Sequence, residues 1–346
     1  MAVKQKLIQL EFPEDWKAAL SGIQHTFGHT WENCNAMNLT TGLRTYLYSF
    51  EKDGIRIICP IAERDFNGYV DVVKPFGFSG FAGNGECPEF PDYWRNFVRE
   101  QRYICGYLGL NPIFDYGNYF DSSSIFQYET IYCMDLTPSL DELFTGLNSN
   151  RKRQLKHWDN IVSNLTLDKA ALGSFFQNHY YDFLRSKNAD PFYYFSSETL
   201  SFLFNLDNVL LVGIRNGEKV VAASVFTHTP YVGEYLFGIS LPEGRKYSAA
   251  LIWYGMQHLK SLDIPILNLG GGDAGTADFK IRFGAKGRPL KCMKEIYDKK
   301  TYEMLCRAVE ADPNDLKGYF PAYRKTELEL LTQSLQNPDQ KNIKEY

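Results

Sequence analysis

Residues 209–226 read VLLVGIRNGEKVVAASVF. Two β-rich runs flank an Asn-Gly pair, which favours a tight hairpin because both residues tolerate the left-handed backbone such a turn needs. A second stretch of this design stands at 43–62, LRTYLYSFEKDGIRIICPIA, turning at Lys-Asp-Gly. After the first-occurring hairpin comes a helix-like segment, DYWRNFVREQRY (92–103), then a short strand, GYLGL, ending at Asn111-Pro112. After the later one comes SAALIWYGMQHLKSL (248–262), with Leu251, Gly255, Leu259 and Leu262 on one helical face, then PILNL ending at Gly270. The order of elements recurs at an offset of about 160 residues, which points to two copies of one unit. The expected fold class is mixed α/β (α+β), with two tandem domains, each a mixed β-sheet flanked by helices.

The expected boundary falls at the basic run SNRKRQLKHW (149–158), just after the capping-type segment TPSLDELF. That divides the chain into 1–148 and 149–346. At 346 residues, two domains of ordinary size fit comfortably.

Composition narrows the function. The chain is 44% hydrophobic and 23% charged, with a formal net charge of -4. That balance is unsuited to wholesale DNA binding, which needs a strong basic field. The start, MAVKQKLIQLEFPEDW, has no apolar core of signal-peptide length, and no uncharged apolar run reaches the length of a membrane span, so a cytoplasmic protein without membrane partners is expected. The seven cysteines are odd in number and lack a C-x-x-C pair, consistent with reduced core residues. His25 and His29 stand at i, i+4, but the TFG between them supplies no base and no third ligand is near, so no metal is expected.

The stretch LNLGGGDAGTADFKIRFG (267–284) carries Gly270, Gly272 and Gly275 in G-x-G-x-x-G spacing after a strand-like run. A dinucleotide site would require a helix next, and an acidic residue on a second strand about twenty positions on. Phe279, Ile281 and Phe283 instead recur with period two, which reads as a strand with Lys280 and Arg282 on its other face. On this reading the glycines serve something other than a dinucleotide turn.

The hexapeptide RKYSAA (245–250) resembles the GNAT pyrophosphate signature Q/R-x-x-G-x-G/A, with Arg245 and Ala250 at its ends and Ser248 in place of the central glycine. Ser248 is a competent N-cap, and Ala249 and Ala250 would leave first-turn N–H groups open to a phosphate; a plainly capped helix with alanines for close packing fits the same residues. Two such units in tandem, with NRKRQLKH opening the second and LNLGGG…FKIRFG near the end, resemble the Fem-type tandem-GNAT family. In size, and in lacking a long charged helical arm, the chain resembles most the bacterial nucleotide-sugar N-acyltransferases, including those that place 3-hydroxybutanoyl on a dTDP-linked 3-amino-3,6-dideoxyhexose for surface polysaccharide.

The resemblance implies acyl-CoA as co-substrate, with no tightly bound cofactor, a nucleotide-linked amino sugar as acceptor, and no role for tRNA. It implies a donor site at Arg245, Lys246, Tyr247, Ser248, Ala249 and Ala250, with backbone N–H groups near Phe237 and Gly238 holding the thioester carbonyl. Asp273 in the glycine turn and Glu234 at the start of EYLFGIS are the candidate bases; the plainer readings are a turn-stabilising Asp273 and a solvent-facing Glu234. Arg151, Lys152 and Arg153 could clamp the acceptor's diphosphate or form a solvated helix face. Gly271, Gly272, Lys280 and Arg282 would line the acceptor side. Aromatics at PFYYF (191–195) and DYGNYF (115–120) are core or stacking candidates. Two alternatives stand beside the sugar acyltransferase: an aminoacyl-tRNA-dependent Fem-type peptidyltransferase acting on a peptidoglycan precursor, and a non-catalytic module that binds a glycan precursor.

Overall fold

The computed structural model describes residues 3–114 and 119–336; Asp115, Tyr116, Gly117 and Asn118 of the DYGNYF cluster lie outside them. The chain opens with β1 (Lys4–Gln9), α1 (Pro13–Leu20) and α2 (Trp31–Thr41), then β2 (Arg44–Lys52), β3 (Ile55–Phe66), β4 (Tyr69–Val73) and the two-residue β5 (Ala82–Gly83). After α3 (Phe90–Glu100), β6 (Tyr103–Leu110) and β7 (Ile125–Asp135) come three short helices, α4 (Leu140–Gly146), α5 (Ser149–Gln154) and α6 (Trp158–Val162). The pattern then restarts: β8 (Leu165–Thr166), α7 (Lys169–Ser186), α8 (Ser197–Asn205), β9 (Val209–Asn216), β10 (Lys219–His228), β11 (Gly233–Ser240), α9 (Ser248–Ser261) and β12 (Ile266–Asn268). α10 (Ala274–Ile281), β13 (Lys286–Ile296), α11 (Lys299–Ala308) and α12 (Lys325–Gln336) follow.

Both hairpins form where the turn residues demand. Asp53 and Gly54 take φ of 50° and 84°, and Gly217 takes 63°, the positive values that a two-residue turn imposes. β2 pairs with β3, and β9 with β10, along nearly their full lengths. Ser139 caps α4 in a reciprocal box with Glu142, as TPSLDELF leads one to expect.

Two compact units result: 1–128 with 190–196 and 290–346, and 129–189 with 197–289. They differ from the consecutive blocks 1–148 and 149–346, and the strand pairing gives the reason. β7 follows the first copy, yet its Cys133–Asp135 pair with β12 of the second unit. β13 follows the second copy, yet its Lys291–Ile296 pair with β6 of the first. Each copy thus takes its last strand from the segment leaving the other.

In the first unit, the strands run β1-β2-β3-β4-β6-β13 over an aromatic core of Tyr48, Phe81, Phe90, Trp94 and Phe97. Fully buried Asp71 on β4 accepts from Arg324 Nε at 2.6 Å and from the Tyr323 hydroxyl at 2.9 Å, tying the C-terminal segment to this sheet. In the second unit, the order is β7-β12-β11-β10-β9-β8, and α9 packs on it through Ala249, Ala250, Trp253, Met256 and Leu259. A Cβ at Gly255 would strike the Phe226 ring, so glycine sets the close approach of α9 to β10.

Candidate functional site

The parallel pair at the centre of the second unit is short. β11 and β12 share only Gly233↔Leu267 and Glu234↔Asn268, after which β11 continues to Ser240 with β10 as its one strand neighbour among the described residues. Just past the split, the β10–β11 register shifts: Phe226 faces Tyr235 and Val225 faces Phe237, leaving Leu236 as an extra residue. Such a bulge bends a strand and re-aims its backbone. Phe237 and Gly238 follow it directly, on the strand edge that β12 has left.

Side chains fix this edge from behind. The Phe237 ring lies 5.6 Å from Phe176 and 5.4 Å from Tyr180, both on α7. At Gly238 a Cβ would collide with the Tyr235 hydroxyl and come 2.9 Å from Ser224 Oγ. Burial pushes the Tyr235 hydroxyl up to about 12, so it stays a neutral donor and acceptor across the physiological range.

The first unit handles the equivalent place differently. β4 pairs in parallel with β6 through Val70, Val72 and Val73, and the Lys74 amide extends the ladder to the Tyr107 carbonyl at 3.0 Å. The register shifts between Val70 and Val72, yet the two strands stay paired to the end of β4. The following helix, α3, begins after Glu89 with a proline and Asp92 in its first turn, whereas the first turn of α9 holds no acid and is preceded by exposed Arg245 and Lys246.

The approach to α9 corrects one expectation. Pro242–Tyr247 form a 3-10 segment that runs straight into the helix, and Ser248 has helical backbone angles. Its hydroxyl donates back to the Arg245 carbonyl at 3.0 Å, so Ser248 is the first helical residue and not an N-cap. Gly244 sits where a Cβ would strike the Val221 carbonyl, pinning the segment to β10. Lys246 stands over the Tyr247 ring at 4.9 Å. Ala249 and Ala250 are buried in the core beneath.

The glycine turn corrects a second. Residues 274–281 form helix α10, not a strand. Asp273 caps it, accepting from the Thr276 amide at 2.8 Å, and Thr276 holds the Asp273 carboxyl below the usual carboxylate range. Phe279 and Phe283, four apart, meet on one side with ring centroids 5.3 Å apart, while Ile281 is 52% exposed. Strand, glycine turn and helix do occur in the order of a dinucleotide fold, but carboxylates occupy the donors a phosphate would use: Asp273 takes the helix start, and Glu129 accepts from the Gly272 amide at 2.7 Å. A Cβ at Gly271 would strike the Glu129 carboxylate, and Gly272 has φ 136°, so both glycines serve this clasp.

Lys280 and Arg282 do not form one cationic face. Lys280 is buried, donates to the Gly271 carbonyl, and burial pushes its ammonium down to about 8 against the pull of Glu129 and Asp273. Arg282 pairs with Asp278 at 2.7 Å on the surface. Glu234 does not face solvent: it is 4% exposed at the point where β11 leaves β12, with Asn268 Nδ2 3.5 Å from its carboxylate.

The basic run also divides. Arg151 is buried, its guanidinium 4.1 Å from the Phe279 ring and 5.3 Å from Phe283, and its Nη1 donates to Gln154. Lys152 donates to the Thr145 carbonyl at 2.7 Å, and exposed Arg153 reaches Asn150 at 3.1 Å. Sequence reading missed the Glu129 clasp, for which no local signal exists, and the buried Lys280. The Asp273-x-x-Thr276 cap and the Phe279/Phe283 spacing were available as helix signals. Burial likewise pushes His29 down to about 3, its Nδ1 taken by Thr26 and its Nε2 by the Gly80 carbonyl at 3.1 Å.

No protein-family model matches the sequence, and no curated protein matches it. Solved structures do. FemX superposes with a TM-score of 0.65 at 9% identity, covering 87% of this chain and 99% of FemX. A conserved protein of unknown function from Bacteroides thetaiotaomicron VPI-5482 gives 0.56 at 10% identity, covering 85% and 100% of the two chains. The C-terminal domain of a putative lysylphosphatidylglycerol synthetase from Agrobacterium fabrum gives 0.54 at 16%, covering 82% and 91%. At these identities the likeness is one of fold, a fold shared with FemX.

Proposed function

We propose that this chain is an acyl-CoA-dependent N-acyltransferase whose donor lies in the second unit. The observation that carries the reading is the split and bulge of β11, which part β11 from β12 ahead of Phe237 and Gly238, beside a helix start preceded by Arg245 and Lys246. An extended pantetheine arm can lie along a strand where its neighbour turns away, and the cations Arg245 and Lys246 ahead of α9 favour the pyrophosphate, with Glu243 of the same 3-10 segment paired to Lys219. The β4–β6 pairing that continues to the end of β4, and the acidic α3 start, make the first unit the poorer donor site.

In the reaction, the amine nitrogen attacks the thioester carbonyl, a C–N bond forms, the C–S bond breaks, and one amine proton must leave. Backbone N–H groups near Phe237 and Gly238 would stabilise the oxyanion. Glu234, buried at the split, is the better placed base, acting through a water; Asp273, engaged as a cap with a depressed pKa, is the weaker one. The departing thiolate takes up a proton.

The acceptor we propose is a nucleotide-linked amino-dideoxy sugar such as dTDP-3-amino-3,6-dideoxyhexose, in the cytoplasm, with 3-hydroxybutanoyl among the acyl groups to test. Of Arg151, Lys152 and Arg153, Arg153 is the exposed one and so the most open to a diphosphate. The test is to incubate the protein with acyl-CoA and the dTDP-amino sugar, following free thiol and product mass. Thiol release coupled to a product heavier by one acyl group is expected. Product from aminoacyl-tRNA with a peptidoglycan precursor, without thiol release, would replace this reading with a peptidyltransferase.

A further inference from the structure

Thr227, near the end of β10, is fully buried, and its Oγ1 has no hydrogen-bond partner among the described residues. A buried hydroxyl left unpaired costs free energy that a valine of nearly the same shape would avoid. β-branching suits both residues to a strand, so shape gives no reason for the hydroxyl. Its surroundings supply one.

Thr227 is paired directly with Glu234 across β10 and β11, and Glu234 with Asn268 across β11 and β12. Directly paired residues share one face of a sheet, with Cβ atoms about 4.5–5.5 Å apart in an antiparallel pair. A Cβ at Gly255 of α9 would strike Phe226, and one at Gly233 would strike Leu259 of α9. Their chain neighbours Thr227 and Glu234 therefore turn the other way. Three buried polar side chains thus form a row on the face opposite α9, at the point where β12 parts from β11. Asn268 is locked in orientation: its Oδ1 accepts from the Gly270 amide at 2.8 Å, which turns Nδ2 to Glu234, 3.5 Å from the carboxylate. Toward Glu234 that amide can only donate. The Thr227 hydroxyl flanks the same residue from the other strand.

We propose that the Thr227 hydroxyl seats the water through which Glu234 takes up the amine proton, so that Thr227 is a positioning residue for the reaction. The water accepts from the Thr227 hydroxyl and donates to the Glu234 carboxylate, leaving its second lone pair for the incoming amine. As the C–N bond forms, the amine proton passes to the water and the water's own proton to Glu234. The proton gained there balances the one that the departing thiolate takes up. Asn268 holds the carboxylate in line from the opposite side. The inference rests on the acyltransferase reading for the word base, not for the water seat itself.

The experiment pairs kinetics with crystallography on the intact protein, using 3-hydroxybutanoyl-CoA and dTDP-3-amino-3,6-dideoxyhexose. Thr227→Val deletes a hydroxyl that no described residue bonds, so its melting temperature should hold or rise. Its kcat should nonetheless fall about tenfold with both KM values within about twofold, and Thr227→Ser should keep at least about half of the wild-type kcat. Added to Glu234→Gln, Thr227→Val should cost nothing further, because it acts through that carboxylate. A high-resolution crystal structure of the wild type should show a water within hydrogen-bond reach of both Thr227 Oγ1 and the Glu234 carboxylate, and that of Thr227→Val should not. A wild-type site without that water, or a Thr227→Val enzyme with wild-type kcat, overturns the inference. Absence of thiol release from the wild type sinks the acyltransferase reading instead, and the seat then stands or falls on the crystallographic water.

Discussion

The guanidinium of Arg151 lies 4.1 Å from the centroid of the Phe279 ring, and its Nε is buried with no hydrogen-bond partner among the described residues. A cation held this way is part of the packing between α5 and α10. Arg151→Ala should therefore cost ~1–2 kcal/mol from the lost stacking and stem contacts. Arg153→Ala, on the surface, should stay within ~0.5 kcal/mol. Urea denaturation of both variants checks the contrast. Equal stability, with a defect only toward a nucleotide-linked acceptor, would move Arg151 from packing to ligand binding.

Lys280 makes a pH-dependent prediction. Its ammonium is pushed down to about 8 by burial among Gly271, Glu129, Asp273 and Cys133. Between about pH 8 and the ordinary lysine value near 10.4, the unfolded chain therefore binds more protons than the folded one, and stability rises with pH there. The burial penalty is fully present below pH 8 and relieved above. Relative to Lys280→Met, the wild type should gain about 2 kcal/mol between pH 7 and pH 10. Using the difference between the two proteins cancels other titrating groups. A flat difference across that range would mean Lys280 titrates normally.

The elements legible in the sequence were those whose cause is local. Asp53-Gly54 and Gly217 announce their hairpins because so few residues accept a positive φ, while Asn216 stays in β9 as its last strand residue. α9 announces itself through Leu251, Gly255 and Leu259. α10 was misread because Phe279, Ile281 and Phe283 mimic a strand's period, although only the two phenylalanines turn inward. The exchange of β7 and β13 was illegible in principle: which strand completes which sheet is decided by pairing between Cys133 and Asn268, or Cys292 and Gly109, far apart in the chain. At the candidate site, Glu234 was legible as a residue but not as a buried one, since burial comes from β12 beside it.

Gly238 and Tyr235 should be coupled. A methyl at Gly238 collides with the Tyr235 hydroxyl and crowds Ser224, so Gly238→Ala should destabilise by ~1–3 kcal/mol through overpacking. Removing the hydroxyl in Gly238→Ala/Tyr235→Phe should return part of that loss, a coupling of at least ~0.5 kcal/mol in a double-mutant cycle. Strict additivity would show that the strand edge relaxes without touching Tyr235.

Ser248 distinguishes a phosphate-binding helix start from a merely well-packed one. It opens α9, donates its hydroxyl to the Arg245 carbonyl, and stands above buried Ala249 and Ala250. An aspartate there adds a negative charge where the helix dipole is positive, a change that stabilises an empty helix end by ~0.3–1 kcal/mol. The lost bond to Arg245 offsets part of this, so the melting temperature should hold or rise slightly. A pyrophosphate approaching this end of α9 would meet repulsion, and the KM for CoA should rise about fivefold or more. Ser248→Ala removes the same hydrogen bond without adding charge, and its CoA KM should stay within about twofold. Thiol-release kinetics and thermal melts on the two variants supply the answer. A raised KM in Ser248→Asp alone, with folding intact, locates the donor's phosphates at α9; identical kinetics in both variants would mean the donor enters elsewhere, and that the alanines serve only the core.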